Sequence, residues 1–150
     1  MNLFANLIII LTALIGLAFR VTGEAQKGPD GRTHKVVFEV AIEGSEPWRG
    51  VLRNVANVQK ALGAKATRIE VVVHGKGIGM LLAKTADADP EMRTMFRKLH
   101  AEGVIFAACE NTMRRMQITT KQLLPIAITV DSGVGEVIRK QEAGYSYIKS

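Results

Sequence analysis

Cysteine is the scarcest functional residue in this 150-residue chain, which carries one, Cys109. A single thiol excludes an intramolecular disulfide, and no Cys/His spacing matches a zinc site, so no metal is expected. Aromatic residues are also few, at 5% with a single Trp, whereas aliphatic residues abound, as in buried parallel sheets. The net charge is +6 with a pI near 9.7, yet no run of five Lys or Arg residues occurs. A nucleic-acid binder clusters its cations, so no nucleic-acid partner is expected, although the charge favours anionic partners. There is no internal repeat, and the length suits one domain.

The longest apolar stretch lies at the start. Leu3 to Phe19 is apolar except for Asn6, Thr12 and Gly16. That is short for a membrane span and long for the apolar core of a signal peptide. Gly23-Glu24-Ala25 offers small residues for cleavage after Ala25. Residues 1–25 therefore read as an export signal, with the mature chain periplasmic or secreted. No Lys or Arg precedes the apolar run and Arg20 follows it, which also fits a retained membrane anchor. In that alternative the chain meets the membrane only through residues 3–19. Cleavage removes Arg20 and Glu24 together and leaves the charge at +6.

Residues 26–33, with Gly28-Pro29-Asp30-Gly31, read as a turn-rich linker. His34 to Ile42 is a nearly continuous apolar strand interrupted by Glu39. Ser45 is placed to cap a helix from about Trp48 to Leu62, in which Val51, Leu52, Val55, Val58 and Leu62 recur at helical spacing and Gly63 ends the run. Arg68 to His74 is the second strand. Met80 to Ala86 reads as a short helix, and Asp89-Pro90-Glu91 starts another. Val104 to Ala108 is the third strand, followed by a short helix from Asn111 to Met116. Thr119 starts a further helix that stops at Pro125. Ile126 to Val130 is a strand, Asp131-Ser-Gly133 caps a helix carrying Val134, Val137 and Ile138, and Tyr145 to Ile148 is the last strand. Repeated strand–helix units predict a single-domain α/β fold, flavodoxin-like, with a mainly parallel five-stranded sheet and helices on both faces.

Two strand ends carry candidate chemistry. Cys109 follows an apolar strand and opens a helix, at the sheet edge where ligands collect. A helix N-terminus and nearby arginines, here Arg114 and Arg115, lower a thiol's pKa, while Glu110 acts the other way. The alternative is a small apolar residue that closes a strand. His74 ends the second strand at the same edge and is a candidate proton relay to Cys109. The segment His74-Gly75-Lys76-Gly77-Ile78-Gly79 is either an anion cradle with Lys76 as added charge or a tight turn. It matches neither a dinucleotide fingerprint nor a P-loop. Trp48 either lines a site above the sheet or packs. Flavin or nucleotide binding is a fold analogy only. The loop after the first strand, Glu43-Gly-Ser-Glu-Pro47, carries two carboxylates that repel phosphate.

Five segments together resemble one family: Lys35-Val-Val-Phe-Glu-Val40, Asn54-Val-Ala-Asn-Val58, Glu70-Val-Val-Val-His-Gly-Lys-Gly-Ile78, Gly103-Val-Ile-Phe-Ala-Ala-Cys-Glu-Asn-Thr-Met113, and Ser132-Gly-Val-Gly-Glu-Val-Ile-Arg-Lys-Gln-Glu-Ala-Gly-Tyr-Ser-Tyr-Ile148. The chain resembles the DsrE/DsrF-like (YchN-like) family of small sulfur-relay proteins over residues 34–150, as an exported subgroup. The resemblance implies a homo-oligomer, trimer or hexamer, and a cysteine at the position of Cys109 that takes sulfane sulfur as a persulfide and passes it on. It implies no cofactor, and a sulfur donor or acceptor protein as partner. The relay members continue with an alanine-rich helix ending in Arg-Arg-Gly, where this chain has Glu110-Asn-Thr-Met-Arg-Arg-Met116. The other reading is a non-catalytic exported module that binds a small anion or assembles with a partner through Gly75, Lys76, Gly77, Asn111 and Thr112, with Cys109 structural.

Overall fold

The computed structural model describes residues 26–150, so the expected export or anchor segment lies outside the described residues. Five strands, β1 (His34–Val40), β2 (Thr67–Val73), β3 (Ile105–Cys109), β4 (Ala127–Val130) and β5 (Ser146–Lys149), form one sheet in the order β4-β3-β2-β1-β5. Every pairing is parallel. Parallel neighbours need crossover connections, and right-handed crossovers fix the face each connection takes. From β1 to β4 the chain steps one strand at a time in one direction. Its main connections, α1 (Ser45–Leu62), α2 (Ala83–Ala88) and α3 (Pro90–Ala101), therefore belong to one side. From β4 it returns across the sheet to β5, beside β1, so α5 (Gly133–Glu142) takes the other side.

Side-chain burial follows this division. Val36, Phe38 and Val40 join Ile69, Val71, Val73, Phe106 and Ala108 in the larger core with Trp48, Leu52, Val55, Met92, Phe96 and Leu99. Phe96 and Phe106 meet edge-to-face with ring centroids 5.0 Å apart. The alternate residues Val37, Val72 and Ala107 pack on Val137 of α5. Burial on both sides is why these strands read as continuous apolar runs. One helix covers the second face incompletely, and Ile105 and Ile128 of the strands stay exposed, as do Val134 and Ile138 of α5. Ile105 thus leaves β3 exposed at its first residue.

Element boundaries move in a few places. β1 ends at Val40 rather than Ile42, and the Ile42 carbonyl instead accepts the Trp48 indole N–H at 2.8 Å. Ser45 is the first residue of α1 and makes no capping bond, because Gly44 occupies the cap position. Asp89 does cap α3, accepting the Met92 N–H at 3.0 Å and pairing with Arg49 at 2.6 Å. The helix expected from Thr119 is one 3-10 turn, Thr120–Gln122, closed by a Thr119–Gln122 capping box. Among the described residues no helix is long and apolar enough to cross a membrane.

Candidate functional site

The carboxyl ends of β2 and β3 meet the start of α5 around Cys109. It is the last residue of β3 and holds the cap position of α4 (Glu110–Arg115), a single six-residue helical segment. It is 4% exposed. Burial pushes the thiol up, but hydrogen bonds from the Gly133 amide, the Thr112 hydroxyl and the Thr112 and Asn111 amides outweigh it and hold the thiol below its ordinary value. Donors of this kind favour the anionic form of a sulfur over the neutral thiol. Neither Arg114 nor Arg115 is among the main groups that do so. Arg114 is engaged by Asn111 and by Glu110 at 3.7 Å, and Arg115 is exposed.

Gly133 is required by its surroundings. A Cβ there falls 2.9 Å from the His74 Cβ and 3.2 Å from the Cys109 Cβ. The absence of a side chain lets the first turn of α5 reach the sulfur, while the Ser132 hydroxyl caps that turn through the Gly135 N–H at 3.2 Å. His74 lies on the other side of Gly133, half-buried just beyond β2. Its Nε2 is 2.8 Å from the Glu39 carboxylate, whose second oxygen accepts the Tyr147 hydroxyl. Burial raises the Glu39 pKa, but the bonds from Tyr147 and His74 prevail and hold it below the usual carboxylate range. His74 and Cys109 thus share one neighbour, with Glu39 and Tyr147 holding the imidazole from behind.

The DsrE/DsrF-like family model matches residues 50–150. The chain belongs to the DsrE/DsrF-like family. A solved structure of MTH1491, a protein of unknown function from Methanobacterium thermoautotrophicum, is 33% identical with a TM-score of 0.68, covering 78% of this chain and 99% of that one. The ychN protein of E. coli shares the fold at 15% identity and a TM-score of 0.60, covering 79% of this chain and 99% of that one. No curated protein matches the chain.

The glycine-rich segment of this DsrE/DsrF-like chain is moulded to its neighbours. It forms a 3-10 stretch, Gly75–Leu81. Gly75 has φ +53, and its N–H donates to the Thr112 hydroxyl oxygen at 3.0 Å. A Cβ on Gly77 falls 2.4 Å from the Val40 carbonyl oxygen, and one on Gly79 falls 2.8 Å from the Trp48 ring. Trp48 therefore packs beneath this loop. Lys76 is exposed, 3.6 Å from Glu43. Of the expected site residues, Cys109, His74, Gly75, Asn111 and Thr112 come together. Lys76, Arg114 and Arg115 lie on the surface, and Gly77 is buried against β1. Sequence reasoning missed Glu39, Gly133 and Tyr147. Glu39 had a signal, as a carboxylate inside an apolar strand, a trait it shares with Glu70 of β2. Among the described residues no group of three or more His, Cys, Asp or Glu side chains is placed to hold a metal ion.

Proposed function

We propose that this DsrE/DsrF-like protein is a sulfur carrier that takes sulfane sulfur on Cys109. One observation supports this above others: the amides of Asn111, Thr112 and Gly133 and the Thr112 hydroxyl hold the pKa of the only thiol below its ordinary value. A cysteine that merely packs is buried comfortably as a neutral thiol and has no use for four donors. Donors aimed at one sulfur favour the anion, which is the nucleophile. The Cys109 thiolate attacks the outer sulfur of a donor persulfide. A new S–S bond forms as the donor's S–S bond breaks, its electron pair leaves on the donor thiolate, and the terminal proton travels with the transferred sulfur. The step is a transfer without net oxidation and uses no cofactor. His74 supplies or removes a proton as the departing thiolate or the loaded persulfide requires. The near-complete burial of Cys109 supports the rival reading, a binding or assembly module with a structural cysteine.

The exposed Ile105, Ile128, Val134 and Ile138 support self-association of this chain through the α5 side. The apolar residues 3–19 support export or, if the segment is retained, an anchor that Arg20 orients with the domain in the cytoplasm. Mass spectrometry of residues 26–150 after incubation with a sulfane sulfur donor, beside Cys109→Ser, tests the carrier reading. A gain of one sulfur atom on the wild type alone is expected. No gain, with a thiol that resists alkylation in the native state, overturns it in favour of the binding module.

A further inference from the structure

The imidazole of His74 is enclosed on two of its edges. A Cβ built on Gly133 falls 2.9 Å from the His74 Cβ and 3.2 Å from its Cδ2, so the first turn of α5 covers the Cδ2 edge. Nε2 lies 2.8 Å from a Glu39 carboxylate oxygen. The edge that remains carries Nδ1 and Cε1. Among the described residues Nδ1 has no hydrogen-bond partner, and the side chain keeps 19% of its surface exposed.

The chemistry of the partner decides which nitrogen carries the proton. An ionised carboxylate only accepts hydrogen bonds. Glu39 is ionised at neutral pH, because the bonds from Tyr147 and His74 prevail over burial and keep its carboxyl below the usual range. The nitrogen that faces it must therefore donate. This places a proton on Nε2 and leaves Nδ1 bare in the neutral ring.

The carboxylate is itself aimed. Its second oxygen accepts the Tyr147 hydroxyl, so the group cannot turn from the ring without breaking that bond. The backbone behind it is fixed too. The His74 N–H donates to the Val40 carbonyl at 3.0 Å, and the Ser150 N–H donates to the Glu39 carbonyl at 3.0 Å. A group held in place beforehand needs no reorganisation when charge appears on it.

We propose that Glu39, aimed by Tyr147, is a positioning residue that fixes a proton on His74 Nε2, so that His74 exchanges protons with an incoming sulfur donor or acceptor at Nδ1. This deepens the sulfur-carrier reading and rests on it for its meaning. The thiolate that leaves a donor persulfide takes a proton from Nδ1 of the protonated ring. The neutral ring regains one at Nδ1 from solvent, and Nε2 keeps its own proton throughout.

The test is NMR of the 15N-labelled protein, with no sulfur donor present and at a pH where the imidazoles are neutral. The wild type is compared with Glu39→Leu and Tyr147→Phe, and His74→Asn identifies the His74 signals among those of the three histidines. The wild type is expected to show a bare Nδ1 and a slowly exchanging proton on Nε2. Glu39→Leu is expected to lose that proton signal to rapid solvent exchange. Tyr147→Phe keeps the carboxylate but frees it, and exchange should quicken by about tenfold, the usual worth of a hydrogen bond to a charged group. Tyr147 is exposed, so this variant gives the readout even where Glu39→Leu fails to fold. A wild-type ring with its proton on Nδ1 overturns the inference, as does an Nε2 proton that exchanges as slowly in either variant as in the wild type. Sulfur loading of the wild type with unmoved Nε2 signals in the variants overturns this inference alone. The expected Nε2 signals with no loading of the wild type overturn the carrier reading alone.

Discussion

Gly133 fills the notch between His74 and Cys109, with room for a hydrogen but not for a methyl group. Gly133→Ala must push the first turn of α5 away from both residues and withdraw an amide from the sulfur. The expected cost is about 1–3 kcal/mol of stability, as for other overpacked sites. Slower alkylation of Cys109 should accompany it. A urea titration and an alkylation time course check both, and an alanine variant with wild-type values in each is the contrary result.

Glu39 gives the acid limb of the stability curve a specific signature. Its carboxyl lies below the usual range in the folded state, so its contribution is present above the ordinary carboxylate value and is lost as pH falls through the depressed one. Glu39→Gln should be less stable than the wild type at neutral pH, by about 1 kcal/mol, given charge-assisted bonds to Tyr147 and His74. The two stabilities should converge in acid. Thermal melts over an acid series measure this, and a constant gap at every pH is the opposing outcome.

Beneath α5, Glu70 is 2% exposed and is bonded to Lys140 at 2.5 Å. Burial raises the Glu70 pKa, Lys140 opposes it, and Glu136 adds to the rise, so the net direction is upward. A carboxyl raised on folding favours the native state at low pH and loses that contribution as pH rises through its folded value. Lys140→Met strands the carboxylate and should destabilise by about 2–3 kcal/mol at neutral pH, since breaking a buried pair leaves an uncompensated charge. The deficit should shrink in acid as Glu70 takes a proton. Denaturant titrations at neutral and mildly acid pH decide the matter, and a deficit that grows in acid contradicts the assignment.

Two glycines make a matched comparison. A Cβ on Gly77 meets the Val40 carbonyl oxygen at 2.4 Å, whereas one on Gly50, within α1, meets nothing within 4 Å. Gly77→Ala should cost about 1–3 kcal/mol, because backbone cannot yield as a side chain does. Gly50→Ala should gain about 0.5–1 kcal/mol from helix propensity. Melting temperatures that move in opposite directions are expected, and a shift of the same sign in both rules out the steric account.

The sheet was legible because its evidence is local. Apolar runs such as Val36–Val40 and Ile69–Val73, with glycine and proline stops between helices, mark strands and crossovers without knowledge of the partner. The positions of Cys109 and His74 at strand ends followed from the same reading. What escaped was everything that depends on pairing across the fold. Tyr147 reaches Glu39 across 108 residues, and only the β1–β5 pairing brings them together. Gly133 looked like part of a capping turn because its crowding comes from two other strands. Arg114 and Arg115 looked like partners of the thiol from spacing alone, but spacing along a helix does not say that Arg114 turns to Asn111 and Glu110. The cap signal at Thr119 is genuine, but the segment behind it spans one turn and forms no longer helix.

The strand order has a consequence for biosynthesis. β1, near the start of the described chain, pairs on one side with β2 and on the other with β5, the last strand made. A ribosome-bound chain that has already emerged through β4 holds Cys109, Thr112 and Gly75 but lacks Tyr147. Its first strand still has an open edge, and an open edge is a template for unwanted pairing. Docking of β5 closes that edge and braces Glu39 behind His74 in the same event. The brace behind His74 therefore comes into being only with the finished sheet.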